Sequence, residues 1–166
     1  NYYNGEKQGQ WIGWYRTHEK QFTCDFDNGV KVGTYKQWNK NGEITKQIDY
    51  YGGKRVKEYL VLQDENGYME INKVNGILDG SWVKWYSKGK KEEEGSYQKG
   101  IKTGTWSRYN VRGLLIEELN YDKKGRNLYE ITYYTNGTVK EYRDYFSKTV
   151  QEYNMDGSKK GKTTPF

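Results

Sequence analysis

The chain has 166 residues, 33% hydrophobic and 17% aromatic, with 18 Tyr, 6 Trp, 20 Gly and one Pro; so thin an aliphatic content excludes an ordinary two-layer core and leaves burial to aromatic side chains. Its 28 basic and 22 acidic residues are intermixed to a net charge of +6, which implies solubility and weak attraction to anionic surfaces and excludes a dedicated basic tail. The longest aliphatic runs, Leu60 to Leu62 and Leu114 to Ile116, fall far short of the roughly 18 to 20 residues of a membrane-spanning helix, and the single Cys24 excludes an internal disulfide.

Taken in order, the chain opens in mid-unit. Tyr2 to Gly5 resembles Tyr97 to Gly100, which points to residues removed upstream, whether a signal peptide, further repeats or a boundary of the expressed segment. A 24-residue period then sets Gly9, Trp11 and Trp14 over Gly33, Tyr35 and Trp38, and Gly80, Trp82 and Trp85 over Gly104, Trp106 and Tyr109. Gly89, Gly113 and Gly137 keep the same period, as do Tyr97, Tyr121 and Tyr145. The expected organisation is one repeat domain over 1–166: a half unit at 1–8, units from about 9, 33, 57, 80, 104 and 128, a partial unit at 149–158 and a flexible tail at 159–166. The unit between Tyr59 and Gly76 drifts from the period.

Within the units, Asn41-Gly42, Asn66-Gly67, Asn136-Gly137 and Asp156-Gly157 read as two-residue type I′ hairpin turns, Lys88-Gly89 as a further turn, and their flanks as strands. Helical periodicity is absent. The predicted fold is therefore all-β, a single elongated antiparallel sheet of consecutive β-hairpin repeats. One unit cannot stand alone, because about six buried apolar side chains at roughly 1.5 to 3 kcal/mol each fall short of ordering two dozen residues at roughly 1 to 2 kcal/mol each. Neighbouring units must supply the rest.

The sequence Glu94-Gly95-Ser96-Tyr97-x-x-Gly100-x-x-x-Gly104-x-Trp106 resembles the MORN repeat, in particular its bacterial variant in the YwqK-family antitoxin group. The resemblance is strongest at 80–113, good at 9–53 and weak at 54–79, where the middle glycines and Trp are lost. It implies a β-hairpin repeat with a scaffold or binding role.

A two-residue turn would place Trp82 opposite Gly95, Lys84 opposite Glu93 and Tyr86 opposite Lys91, with Trp106 opposite Leu119, Arg108 opposite Glu117 and Asn110 opposite Leu115. This face, which in the first unit holds Trp11, Tyr15, Phe22, Cys24 and Phe26, reads as the core face, and the Lys84–Glu93 and Arg108–Glu117 pairs as structural bridges. The opposite face keeps an aromatic column three residues after each first aromatic, at Trp14, Trp38, Trp85, Tyr109 and Tyr133. Beside it stand the carboxylates of Asp25, Asp49, Glu94, Glu118 and Asp144. Such a stripe stacks a sugar ring, grips a cation or docks a basic peptide; equally, it serves as a cross-strand ladder that only stabilises the sheet.

No constellation for catalysis, metal or cofactor binding is apparent. His18 takes a turn position held by Gly in other units, Cys24 shares a column with Ile48 and Leu119 as a buried thiol, and Asp64-Glu65-Asn66-Gly67 is too short for a calcium loop. Lys7, Lys31 and Lys102 are expected to line one exposed edge, where they keep it soluble or follow phosphate or anionic lipid. The leading expectation is a non-enzymatic scaffold that binds a protein partner, antitoxin-like. The alternatives are a cell-envelope carbohydrate or choline reader, which the richness in Trp, Tyr and Gly also resembles, and peripheral binding to anionic membranes. Nucleic acid is disfavoured because acidic residues interrupt every candidate groove. Self-association through sheet ends or the exposed face stays open, as do bacterial cytoplasm and cell envelope.

Overall fold

The computed structural model describes residues 1–63, 65–87 and 89–166; Asp64 and Lys88, which the sequence assigns to turns, lie outside the described residues. The chain forms β1 (Tyr2–Tyr3), β2 (Glu6–Lys7), β3 (Gly9–Trp14), β4 (Lys20–Asp27), β5 (Val30–Trp38), β6 (Ile44–Tyr51), β7 (Lys54–Gln63) and β8 (Gly67–Val74). It continues with β9 (Ile77–Tyr86), β10 (Lys91–Gln98), β11 (Ile101–Tyr109), β12 (Leu115–Tyr121), β13 (Asn127–Tyr133), β14 (Val139–Asp144), β15 (Thr149–Tyr153) and β16 (Lys159–Pro165). No helix occurs among the described residues. Strands β3 to β16 lie in chain order in one 14-stranded antiparallel sheet that does not close into a barrel, and β1 pairs with β2. Residues 159–165, expected as a tail, pair with β15. The strands divide between two compact units, Asn1–Leu62 with Glu70–Leu78, and Gln63–Met69 with Asp79–Phe166.

Two kinds of turn recur, and they correct the sequence assignment. Type I′ geometry needs positive φ at both central residues, and that is met at Asn4-Gly5, Asn28-Gly29, Gly52-Gly53, Asn75-Gly76 and Lys99-Gly100. At Asn41-Gly42, Asn136-Gly137 and Asp156-Gly157 only the glycine has positive φ, and at Asn66-Gly67 neither residue does. The first three belong to three-residue loops: Asn39 N–H donates to the Glu43 carbonyl and Gly42 N–H to the Asn39 carbonyl, a type I turn followed by a left-handed residue. His18, at φ 71°, fills that left-handed position in the first such loop, where the sequence pattern placed it.

The longer loop shifts the pairing beside it. Lys91 lies opposite Trp85 rather than Tyr86, and Leu115 opposite Tyr109 rather than Asn110. One extra residue in the returning strand then restores the register, so Trp82 meets Gly95, Lys84 meets Glu93, Trp106 meets Leu119 and Arg108 meets Glu117, as expected. The extra residues are Gln21, Thr45, Glu92, Ile116, Leu128 and Lys140, so the β-bulge itself repeats.

A second irregularity builds the core. Between β10 and β11, Glu94 pairs with Ser107 and Ser96 with Thr103, so Gly95 alone faces Gly104 to Trp106. Between β4 and β5, Cys24 likewise faces Gly33 to Tyr35. Gly104 and Gly33 hold φ of 66° and 63°, a conformation that a side chain would strain. In unit 2 this turn of the backbone lays the Trp106 ring over Gly95, where an added Cβ would come within 2.2 Å of the indole. Trp106 is 2% exposed. Its neighbours are Trp82 at 5.3 Å and Tyr97 edge-on at 5.1 Å between ring centroids, and its Nε1–H donates to the Ser96 carbonyl at 3.3 Å.

The rest of the core is sparse: Cys24, Ile48 and Ile71 are the other buried hydrophobic residues, and Gln151 is the buried polar one, among those described. Neighbouring hairpins are tied instead by tyrosine hydroxyls. Tyr15 donates to the Trp38 carbonyl at 2.7 Å, Tyr86 to that of Tyr109 at 3.0 Å, and Tyr134 to that of Tyr153 at 2.9 Å.

The lysine row does not lie out along an edge. Lys102 Nζ sits 3.7 Å from the Trp106 ring centroid and 3.3 Å from Glu93; Lys7 covers Trp11 and Phe26, and Lys31 covers Tyr35 and Tyr50. A flexible four-carbon stem folded over an aromatic face hides apolar surface while keeping the ammonium wet, and the ring quadrupole attracts the charge. Chemical denaturation is therefore expected to show Trp106→Ala costing about 3 to 5 kcal/mol. Lys102→Ala should cost about 1 kcal/mol, where an edge lysine would cost less than about 0.5 kcal/mol.

Candidate functional site

All five residues of the aromatic column sit at the repeating bulge. Trp14 pairs with Lys20, Trp38 with Ile44, Trp85 with Lys91, Tyr109 with Leu115 and Tyr133 with Val139, each at the step where the returning strand carries its extra residue. Bulges re-aim side chains and increase local twist, so the column is a consequence of the loop type at that end of each hairpin. The aromatic position and the three-residue loop recur together.

In unit 1, Trp14 is 55% exposed with the Lys20 ammonium 6.0 Å from its ring, while Trp38 is half-buried. In unit 2, Trp85, Tyr109 and Tyr133 are all half-buried. Trp85 stacks on Tyr68 at 5.7 Å with an interplanar angle of 12°, and Lys91 Nζ lies 5.8 Å from its ring. The Trp85 Nε1–H is buried with no hydrogen-bond partner.

The expected acidic flank meets the column at two places. Tyr109 Oη donates to Glu94 at 2.7 Å, and Tyr133 Oη donates to Glu118. Glu94 also receives Lys91 at 2.7 Å, so one ammonium links Trp85 to the Tyr109–Glu94 pair. The other carboxylates are placed differently. Asp49 accepts from the Thr34 hydroxyl at 2.8 Å, and Asp144 caps a turn by accepting the N–H groups of Phe146 and Ser147. Asp25 pairs through its backbone with Gln10 and Val32.

Of the structural bridges, Arg108–Glu117 forms at 2.8 Å. Lys84 Nζ bonds Glu92 at 3.0 Å, while Glu93 receives Lys102. The swap follows from the bulge at Glu92, which turns that carboxylate toward Lys84, and from the inward fold of Lys102.

Sequence reasoning missed Lys91 as the residue that gathers Trp85 and Glu94, and it missed a cleft of about 240 Å³ on the core face of unit 1, lined in part by Trp11, Phe22 and Tyr35. The recurrence of aromatics and lysines at 24 residues carried the signal for the cleft, but parity alone does not tell a lysine at the rim from one folded over a ring. No protein-family model and no curated protein matches the chain. Function is therefore argued from geometry.

The tyrosine–carboxylate pairs have an electrostatic signature. Burial acts to raise the Glu94 carboxyl, but the hydrogen bonds from Lys91 and Tyr109 outweigh it and hold Glu94 below its ordinary value of 4.5. Burial, then the bond to Glu118, pushes the Tyr133 phenol above its ordinary value of 10, and Tyr109 shifts the same way through burial and Glu94. A lowered carboxylate contributes stability that is present above about pH 4.5 and is lost as pH falls through the folded-state value. A raised phenol contributes stability that is full below about pH 10 and is lost as pH rises through its folded-state value. Urea midpoints measured against pH should thus fall less steeply below about pH 4.5 in Glu94→Gln, and less steeply above about pH 10 in Tyr133→Phe, than in the parent. Unchanged slopes in both variants would remove these pairs from the site.

Proposed function

We propose that the chain is a non-enzymatic hairpin-repeat scaffold, of the kind the MORN-variant resemblance implies, and that it binds a protein partner through the aromatic column and its carboxylates, in the manner of an antitoxin. The observation that carries this reading is the placement of the column: an aromatic side chain, partly accessible, stands at five of the hairpin-loop bulges, and at Tyr109 and Tyr133 the ring is fixed by its own hydroxyl. Rings already held in place lose little freedom on association, and interface energy concentrates in such aromatic anchors. The neighbouring carboxylates favour a partner with apolar and basic groups.

A choline or carbohydrate reader draws less support. The rings of the opposite face that would cage a quaternary ammonium, Trp11, Tyr35 and Trp106, already carry Lys7, Lys31 and Lys102. A ligand cation would have to displace them.

Trp14→Thr and Trp85→Thr retain β-propensity and remove one ring each. Quantitative cross-linking in extract of the native host should recover a protein partner with the parent chain and lose it in these variants, at an affinity cost of about 2 kcal/mol or more per anchor. The loss of thermal stability for Trp14→Thr should stay well below that of Trp106→Ala. Identical partners in parent and variants would leave the column as a purely structural ladder.

A further inference from the structure

The cleft on the core face of unit 1 is lined differently from the matching positions of unit 2. Its walls are the rings of Trp11, Phe22, Phe26 and Tyr35. Cys24, 2% exposed, forms its floor. Burial holds the Cys24 thiol above its ordinary range, with Lys31 acting in the opposite sense, so the floor carries no charge at neutral pH. Lys7 and Lys31 complete the lining, with their ammoniums about the aromatic faces: 4.7 Å from Trp11 and 5.0 Å from Phe26 for Lys7, 5.3 Å from Tyr35 for Lys31.

In unit 2 the lysine at the same repeat position, Lys102, is neutralised by Glu93, nine residues before it, at 3.3 Å. Nine residues before Lys31 stands Phe22. The two positions also match in the sheet, Glu93 pairing with Arg108 and Phe22 with Gln37. Among the described residues, no carboxylate lies within salt-bridge distance of Lys7 or Lys31. Unit 1 has thus exchanged an internal counter-ion for an apolar wall, leaving two cations without one beside an aromatic cleft.

We propose that this cleft binds a small aromatic carboxylate with a single ring, the ring against the aromatic walls and the carboxylate paired with Lys7 and Lys31. Size supports one ring: a cavity of about 150 Å³ holds benzene, and about 240 Å³ adds room for a carboxylate but stays below the roughly 300 to 1,000 Å³ of sites for drug-sized ligands. Charge supports an acid, since two unpaired ammoniums beside low-dielectric walls attract an anion and repel a cation. The site lies on the face opposite the aromatic column and does not depend on it.

Benzoate is the probe, with acetate as the anion lacking a ring and benzyl alcohol as the ring lacking a charge. Titrations of the full chain followed by two-dimensional NMR should show benzoate shifting the Trp11 indole and the Phe22 and Tyr35 resonances saturably, with acetate and benzyl alcohol each at least tenfold weaker. Lys7→Gln with Lys31→Gln should weaken benzoate at least tenfold. Raising salt toward about 1 M, where the Debye length is about 3 Å, should weaken it in the parent. Phe22→Glu, which installs the counter-ion that unit 2 possesses, should abolish binding; the lysine variants answer the same question if Phe22→Glu fails to fold. The proposal is overturned if benzoate gives no saturable shift, if acetate binds as well as benzoate, or if the folded lysine variants bind like the parent.

Discussion

A sheet with few aliphatic residues and, among the described residues, no helix to cover it has to find its burial between its own strands. Here that is done by setting a large ring over the smallest residue of the preceding strand. Trp106 over Gly95 is the most complete instance: the absent Cβ is what lets the indole reach the backbone, and the left-handed Gly104 is what tips the ring into place. Phe22 repeats the arrangement over Gly13, where an added Cβ would lie 2.1 Å from the ring. Glycine, ordinarily a cost inside a strand, is here the receiving half of a packing contact.

One irregularity buries one set of aromatics, and another, beside the hairpin loops, positions the second set. Five of the three-residue loops are followed by a compensating bulge with a member of the second column beside it, and Tyr109 and Tyr133 are tied down there by carboxylates on the preceding hairpin. The two faces thus have different chemistry. One carries rings covered by lysines, with a cleft where Phe22 stands in place of a glutamate. The other carries rings beside acids.

Much of this was legible in the chain. The 24-residue recurrence of Gly-x-Trp and of turn glycines fixes hairpins in series, and strand parity separates Trp82 and Trp106 from Trp85 and Tyr109 on the correct pairing partners. What parity could not supply was turn type. Asn-Gly suits both a two-residue I′ turn and the last two residues of a three-residue loop, and only the backbone hydrogen bonds from Asn39 and Tyr134 separate the two. Long flexible side chains were equally opaque, because Lys102 can reach solvent or a ring from one Cα, and the choice depends on Glu93 and Trp106 being beside it. For the candidate site, the residues of the column were readable, but their hydroxyl–carboxylate partnering at Glu94 and Glu118 depends on which strands adjoin.

The interlock of ring and glycine is tested most directly by a double-mutant cycle on Gly95→Ala and Trp106→Ala. If the missing Cβ of Gly95 exists to receive the Trp106 ring, Gly95→Ala should destabilise the parent by about 1 to 3 kcal/mol and should be close to neutral, or stabilising, once the ring is gone, giving a coupling energy of similar size. An equal cost for Gly95→Ala in both backgrounds would contradict it, and would mean that the sheet is held together by something other than the packing of aromatic rings on glycine.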